Sequence, residues 1–198
     1  MNAVHLRRPK AIIALALSLE SDGVLEAAGL PILYCGVGKV NATHALTYAL
    51  ACYSLRNEEL PLVVNFGTVG SRRLPTGSLV SCTEFVQRDM DVSGLGFELG
   101  VTPYDSTPAR LKFDPVFKDL PQAVCGTGDS FATDEFTMAC DVVDMEAYAL
   151  AKVCWMEKAR FACAKYVTDG ADGEAAAAWK RNVHKAAEQF LQLFRGIQ

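Results

Sequence analysis

Three carboxylates stand where chemistry is to be expected. Glu20, Glu146 and Asp169 each follow an apolar, strand-like run, and hydroxyls or glycine turns flank them. Glu146 lies in Val143-Asp144-Met145-Glu146-Ala147, and Asp169 in Val167-Thr168-Asp169-Gly170-Ala171-Asp172. A carboxyl group can give or take a proton. Each also has a purely structural reading. Glu20 and Glu146 could be first-turn acids facing a helix dipole, and Asp169 a cap or turn residue. Together, at one edge of a sheet, the three point to a shared pocket.

Other chemistries fail on spacing. Gly36-Val37-Gly38-Lys39-Val40-Asn41 has Asn where a dinucleotide fingerprint needs its third glycine, and no acid about 20 positions on closes a second strand. As a phosphate loop it fails too, because Val40 follows Lys39 and position 33 is Leu. Asp89-Met90-Asp91 has no histidine or further carboxylate to complete a metal site, and His5, His44 and His184 form no ligand pattern. There is no Gly-x-Ser-x-Gly elbow. Neither metal nor cofactor is expected. The seven cysteines (35, 52, 82, 125, 140, 154 and 163) include no Cys-x-x-Cys pair and mostly sit in apolar runs. They read as buried, reduced thiols of a cytoplasmic protein.

Charge narrows the partners. The 198 residues carry 19 Lys+Arg against 23 Asp+Glu, a net −4. Arg7-Arg8-Lys10 and Arg72-Arg73 are too short for a phosphate footprint, so no nucleic-acid partner is expected. The apolar run Ala11–Leu17 after the first basic cluster imitates a signal peptide, but it continues into Ser18-Leu19-Glu20-Ser21-Asp22 without a small-x-small site. It is read as a first strand. No run approaches the ~20 apolar residues of a membrane span.

The elements that must position the carboxylates alternate between strand and helix patterns. Expected strands are Lys10–Leu19, Leu30–Cys35, Pro61–Phe66 (closed by Gly67-Thr68-Val69-Gly70), Gly77–Gln87, Gln122–Cys125, Asp141–Val143 and Arg160–Val167. Expected helices are Ser21–Ala28, Lys39–Arg56, Glu146–Glu157 and Glu174–Phe194, the last with Ala177, Val183, Ala187, Phe190, Leu191 and Phe194 inward. Arg88–Lys118, rich in Gly, Pro, Asp and Ser, reads as a loop or flap. This order implies one α/β domain over 1–198, a three-layer sandwich with a mixed, largely parallel central sheet. Ligands of such sheets bind at the carboxyl ends of the strands, where the three acids fall.

Seven segments, in order along the chain, resemble the methylthioadenosine/S-adenosylhomocysteine nucleosidases of the purine nucleoside phosphorylase superfamily. They are Cys35–Ala42, Asn65–Gly70, Asp89–Val92, Gly96–Glu98, Gly128–Phe131, Asp144–Ala147 and Lys165–Asp169. The resemblance implies cleavage of the bond between a purine and a 5′-thioribose, within nucleoside catabolism and purine or methionine salvage. It assigns Asp169 as the acid that protonates purine N7, a task that requires a raised pKa. Glu20 is the base for water, and Glu146 the carboxylate that holds the ribose hydroxyls beside the developing cation. Met145 flanks the ribose. Phe131 stacks on the base, and the Ala132 backbone reads its edge. Val69, Gly70 and Val92 line the base pocket, and Thr168 stands beside the acid. Thr68 replaces a family serine and positions water. Lys165 replaces an arginine near the water site, keeping charge without the fork. Asp144 replaces Glu.

The resemblance also implies a homodimer in which an Asp91–Gly100 flap, through Leu95 and Phe97, closes the neighbour's pocket. Related phosphorylases carry Gly-Asp-Pro-x-x-Arg after the first strand, where this chain has Leu19-Glu20-Ser21-Asp22-Gly23, and an arginine where it has Asn65. A carboxylate at Glu20 suits water better than phosphate, so hydrolysis is expected. The acids near Glu20 are fewer than in the family, the hairpin between Gly29 and Leu30 is absent, and Tyr104–Leu120 is compressed. These departures keep other readings open: phosphorolysis, another purine nucleoside such as futalosine, or a non-catalytic nucleoside-binding homologue.

Overall fold

The computed structural model describes residues 10–132 and 139–197; His5 and the Arg7-Arg8 pair lie outside them. Strand β1 (Ala11–Leu15) leads through a 3-10 turn at Ser18–Glu20 to the short α1 (Val24–Ala27) and β2 (Ile32–Tyr34). Next come α2 (Lys39–Ser54), β3 (Leu62–Gly70) and β4 (Leu79–Gln87). After a long loop holding β5 (Arg110–Lys112), the chain forms β6 (Gln122–Thr127), β7 (Val142–Asp144), α3 (Ala147–Glu157), β8 (Phe161–Asp169), α4 (Ala175–Asn182) and α5 (Ala187–Arg195).

The sheet runs β2-β1-β3-β7-β6-β4-β5, and β8 bridges β3 and β4, so the pairings β3-β8-β4-β6-β7 close on themselves. Pairing is parallel for β1 with β2 and β3, β3 with β8, and β6 with β4 and β7. It is antiparallel for β3–β7, β4–β5 and β4–β8. Alternation along β1 shows why both sheet faces are covered. Ile12 and Ala14 enter one core with Ala42, Leu46 and Leu50 of α2 and the inner face of α3. Ile13 and Leu15 enter a second core with Leu25 of α1 and Phe190 and Phe194 of α5. The central strands β1, β3 and β8 therefore bury both sets of side chains, which is why they read as apolar runs.

Three expectations are corrected. The C-terminal helix breaks between Asn182 and Ala187, because α4 docks on the end of β8 while α5 packs into the second core. Ala177 is consequently exposed rather than inward. The loop 88–118 contains a strand, β5, which pairs with Glu84–Val86. The glycine-rich 67–70 segment continues β3 instead of closing it.

Candidate active site

The strand ends converge on one cavity of ≈ 220 Å³. Glu20, Thr68, Val69, Gly70, Met145 and Glu146 lie on its wall, as do Phe131, Ala132, Thr168 and Asp169. Each carboxylate is held by the backbone of a different element. The 3-10 turn after β1 folds Glu20 back on itself: Oε2 accepts from Leu17 N–H at 3.1 Å. Its Oε1 accepts from Thr68 N–H at 2.8 Å and from the Thr68 hydroxyl at 3.0 Å. Asp169 ends β8, where Oδ1 accepts from Ala171 N–H at 3.0 Å and Oδ2 from the Thr168 hydroxyl at 2.8 Å. Glu146 precedes α3 and accepts from Gly38 N–H at 2.8 Å.

Two glycines exist for these acids. A Cβ at Gly70 would lie 2.6 Å from Asp169 Oδ1. One at Gly67, whose φ is +152°, would lie 3.1 Å from both Glu20 Oε1 and Lys165 Nζ. The Gly36–Lys39 turn also gains a physical account. The N-terminus of α2 presents N–H groups to carboxylates rather than to phosphate, Gly38 to Glu146 and Lys39 N–H to Asp129 Oδ1 at 2.8 Å.

Glu146 is pushed up to about 8, first by burial and then by the charge of Asp144, against the pull of Lys165 and Gly38 N–H. Near neutral pH the group therefore holds its proton in the unliganded pocket. The folded pKa lies above the ordinary 4.5, so between these values the folded chain keeps a proton that the unfolded chain has released. Stability should fall as pH rises from about 4.5 to about 8, by at most ~1.4 kcal/mol per pH unit from this group. Glu146→Gln keeps the acceptor for Gly38 and should lack that slope. Urea melts of both proteins across the window test this, and identical slopes would overturn it.

Four expected residues are not on the wall. Lys165 is only 2% exposed and pairs with Asp144 Oδ2 at 3.0 Å. Burial opposes its charge, but Asp144, Cys163, Cys125 and Glu146 outweigh that and raise its pKa well above the usual lysine value. In this fold its ammonium balances Asp144. Val92 opens a 3-10 turn at Ser93–Leu95, Leu95 is 76% exposed, and Phe97 packs edge-on against Tyr104 at 5.7 Å.

The structure adds wall residues that spacing did not single out. Asp144, a strand-end acid that the resemblance gives as a replacement for Glu, is on the wall too; it accepts from the Thr127 hydroxyl at 2.6 Å and from Ala147 N–H at 3.0 Å. Arg88 directly follows β4 and donates to Gly128 O and to Ser130. Trp179 arrives from α4, and its one signal in the sequence was bulk, a tryptophan directly after four alanines.

Residues 26–197 match the family model described as the phosphorylase superfamily. The chain is 31% identical over 202 residues to the 5′-methylthioadenosine/S-adenosylhomocysteine nucleosidase of Geobacillus sp. (strain WCH70), covering 89% of this chain and 83% of that protein. It is 29% identical over 199 residues to the enzyme of the same name from Haemophilus influenzae (strain 86-028NP), with the same coverage. A solved structure of a futalosine hydrolase mutant of Helicobacter pylori strain 26695 shares the fold, with a TM-score of 0.82 at 20% identity over 96% of this chain and 98% of that one.

Proposed function

Because the chain belongs to the phosphorylase superfamily, we propose that its cavity hydrolyses the N-glycosidic bond of a purine nucleoside of the 5′-methylthioadenosine/S-adenosylhomocysteine type. The observation that carries this reading is the Glu20 carboxylate, held on the wall by Leu17 and Thr68 where a base for water would stand. Of the four acids among the described lining residues, Asp144 is balanced by Lys165, Glu146 holds its proton near neutral pH and Asp169 is the proposed proton donor, which leaves Glu20 as the carboxylate able to take a proton from water; Arg88 is the one arginine or lysine among those residues. Two nitrogens of that guanidinium donate to Gly128 and Ser130, and its Nε is buried without a hydrogen-bond partner among the described residues. A cavity with one cation and the Glu20 carboxylate lacks the several cationic forks that phosphate would need, and it suits water.

In the proposed reaction Asp169 gives its proton to purine N7 as the bond to N9 breaks, and the bonding electrons leave with the base. Water adds to the anomeric carbon and passes a proton to Glu20, most readily at Oε2, the oxygen with fewer protein donors. Glu146 receives the ribose hydroxyls beside the cation. Phe131, 45% exposed at the cavity rim, covers the base.

The reading includes a homodimer. Its support is a set of exposed apolar side chains: Val40 and Tyr48 on α2 are 79% and 69% exposed, and Leu95 and Tyr104 are 76% and 98% exposed. Lys39, 2.7 Å from Asp89, ties α2 to the start of the Asp91–Gly100 flap. In the dimer Leu95 and Phe97 close the partner's cavity, with Val92 at its edge. A monomeric sedimentation mass at assay concentration would remove the flap from the mechanism. Free thiols, most of them buried, support placing the protein in the reducing cytoplasm.

The test is base release from methylthioadenosine, S-adenosylhomocysteine, adenosine, inosine and futalosine, with and without phosphate. Release of adenine from the thio-substrates at a rate indifferent to phosphate is expected. Strict phosphate dependence would overturn the hydrolase reading, and release from inosine or futalosine alone would overturn the substrate class.

A further inference from the structure

We propose that Trp179 is a positioning residue for the water-activating carboxylate, acting through Thr68; the inference rests on the hydrolase reading above. The indole Nε1–H donates to Thr68 Oγ1 at 3.1 Å, and the same hydroxyl donates to Glu20 Oε1 at 3.0 Å. The chemistry of the three groups gives this chain a direction. An indole N–H can only donate, whereas a hydroxyl has one hydrogen and two lone pairs. Once a lone pair of the Thr68 hydroxyl is occupied by Trp179, its hydrogen is turned to Glu20.

That orientation sets which carboxylate oxygen works. Glu20 Oε1 then accepts two hydrogen bonds, from Thr68 N–H and the Thr68 hydroxyl, and Oε2 accepts one, from Leu17 N–H. Oε2 is left the more basic oxygen, and the three hydrogen bonds hold the side chain in one rotamer. Without the indole donor the hydroxyl is free to rotate, and Glu20 loses the second anchor on Oε1.

The fold holds Trp179 in place. One turn further along α4, the buried Asn182 donates from Nδ2 to Thr168 O at 2.7 Å, which pins the helix to the end of β8. Lys185 donates to Asn182 Oδ1 at 2.7 Å and fixes the amide's orientation. The break after Asn182 that separates α4 from α5 thus leaves α4 free to serve the pocket while α5 serves the core.

The test is a double-mutant cycle of Trp179→Phe and Thr68→Val, assayed for base release with melting temperatures as fold controls. Phe keeps the aromatic bulk and removes only the N–H. Trp179→Phe should lower kcat about 3- to 10-fold, the value of one hydrogen bond, and change KM by less than about twofold. In the Thr68→Val background it should change nothing further, because the hydroxyl it orients is gone. An unchanged kcat in Trp179→Phe overturns the inference, as does an equal loss in both backgrounds or an effect confined to KM. A wild-type chain that releases no base fails at the control, which sinks the hydrolase reading and this inference with it, and so is told apart from failure of the inference alone.

Discussion

Replacing Asp169 with Asn is expected to lower base release by ~10²–10⁴-fold, the usual contribution of a positioned acid, while the protein stays folded. Asn keeps an oxygen for Ala171 N–H, which now reaches Asp169 Oδ1 at 3.0 Å. Its amide nitrogen would face the Thr168 hydroxyl, which can turn round to accept, since Val69 O at 3.2 Å already takes part of its hydrogen. The local network is thus satisfied with either side chain, and a loss of rate reports lost acidity rather than lost structure. An amide can donate a hydrogen bond to purine N7 but cannot transfer the proton that lets the base leave. The measurement is single-turnover adenine release, with a thermal melt as control. A variant within tenfold of wild type would remove Asp169 from the role of acid.

The second large effect is on stability. Lys165 and Asp144 form a 3.0 Å ion pair whose side chains are each 2% exposed. Lys165→Met should destabilise the protein by ~3–5 kcal/mol, because it leaves a buried carboxylate without its counter-charge. For a chain of this size that is a fall in melting temperature of about 6–20 °C. Asp144 would keep the Thr127 hydroxyl and Ala147 N–H, which do not neutralise it. Adding Asp144→Asn should therefore recover much of the loss. Calorimetric melts of wild type, single and double variants decide the matter. A Lys165→Met protein as stable as wild type, impaired only in KM, would return Lys165 to the ligand-binding role that its family position implied.

Much of the fold was legible because the central strands are covered on both faces. Val63 and Val64, or Phe161 to Ala164, must be apolar on every residue, and such runs announce themselves. Helix α2 was equally legible from Ala42, Leu46 and Leu50, spaced by four. What escaped depends on partners distant in sequence. β5 is three residues long and has a single buried side chain, Leu111, so it has no pattern of its own and exists through β4. The continuation of β3 through Gly67–Gly70 depends on β8, whose Lys165–Asp169 pairs with it along that length. The split of the C-terminal helix could not be read from periodicity, because both halves are helical and differ only in what they pack against.

The same division holds for the pocket. Sequence order alone determined that Glu20, Glu146 and Asp169 follow strand-like runs, and the parallel pairing of β1, β3 and β8 sends Glu20 and Asp169 to one edge; Glu146 joins them because β7, antiparallel to β3, meets it at Gly70 and Val143. The resemblance supplied the neighbours Thr68, Phe131 and Met145. Only the tertiary structure decided how the charges are shared. Lys165 lies on the same strand as the wall residues Thr168 and Asp169 but is itself buried, and which acid it pairs with is set by register: Gly67 lies opposite it on β3, which leaves room for its ammonium to reach Asp144. Trp179, 111 positions from Thr68, meets it because Asn182 anchors α4 to β8. Charge balance and hydrogen-bond direction depend on distances of a few ångströms between groups far apart in the chain, and no local spacing encodes those.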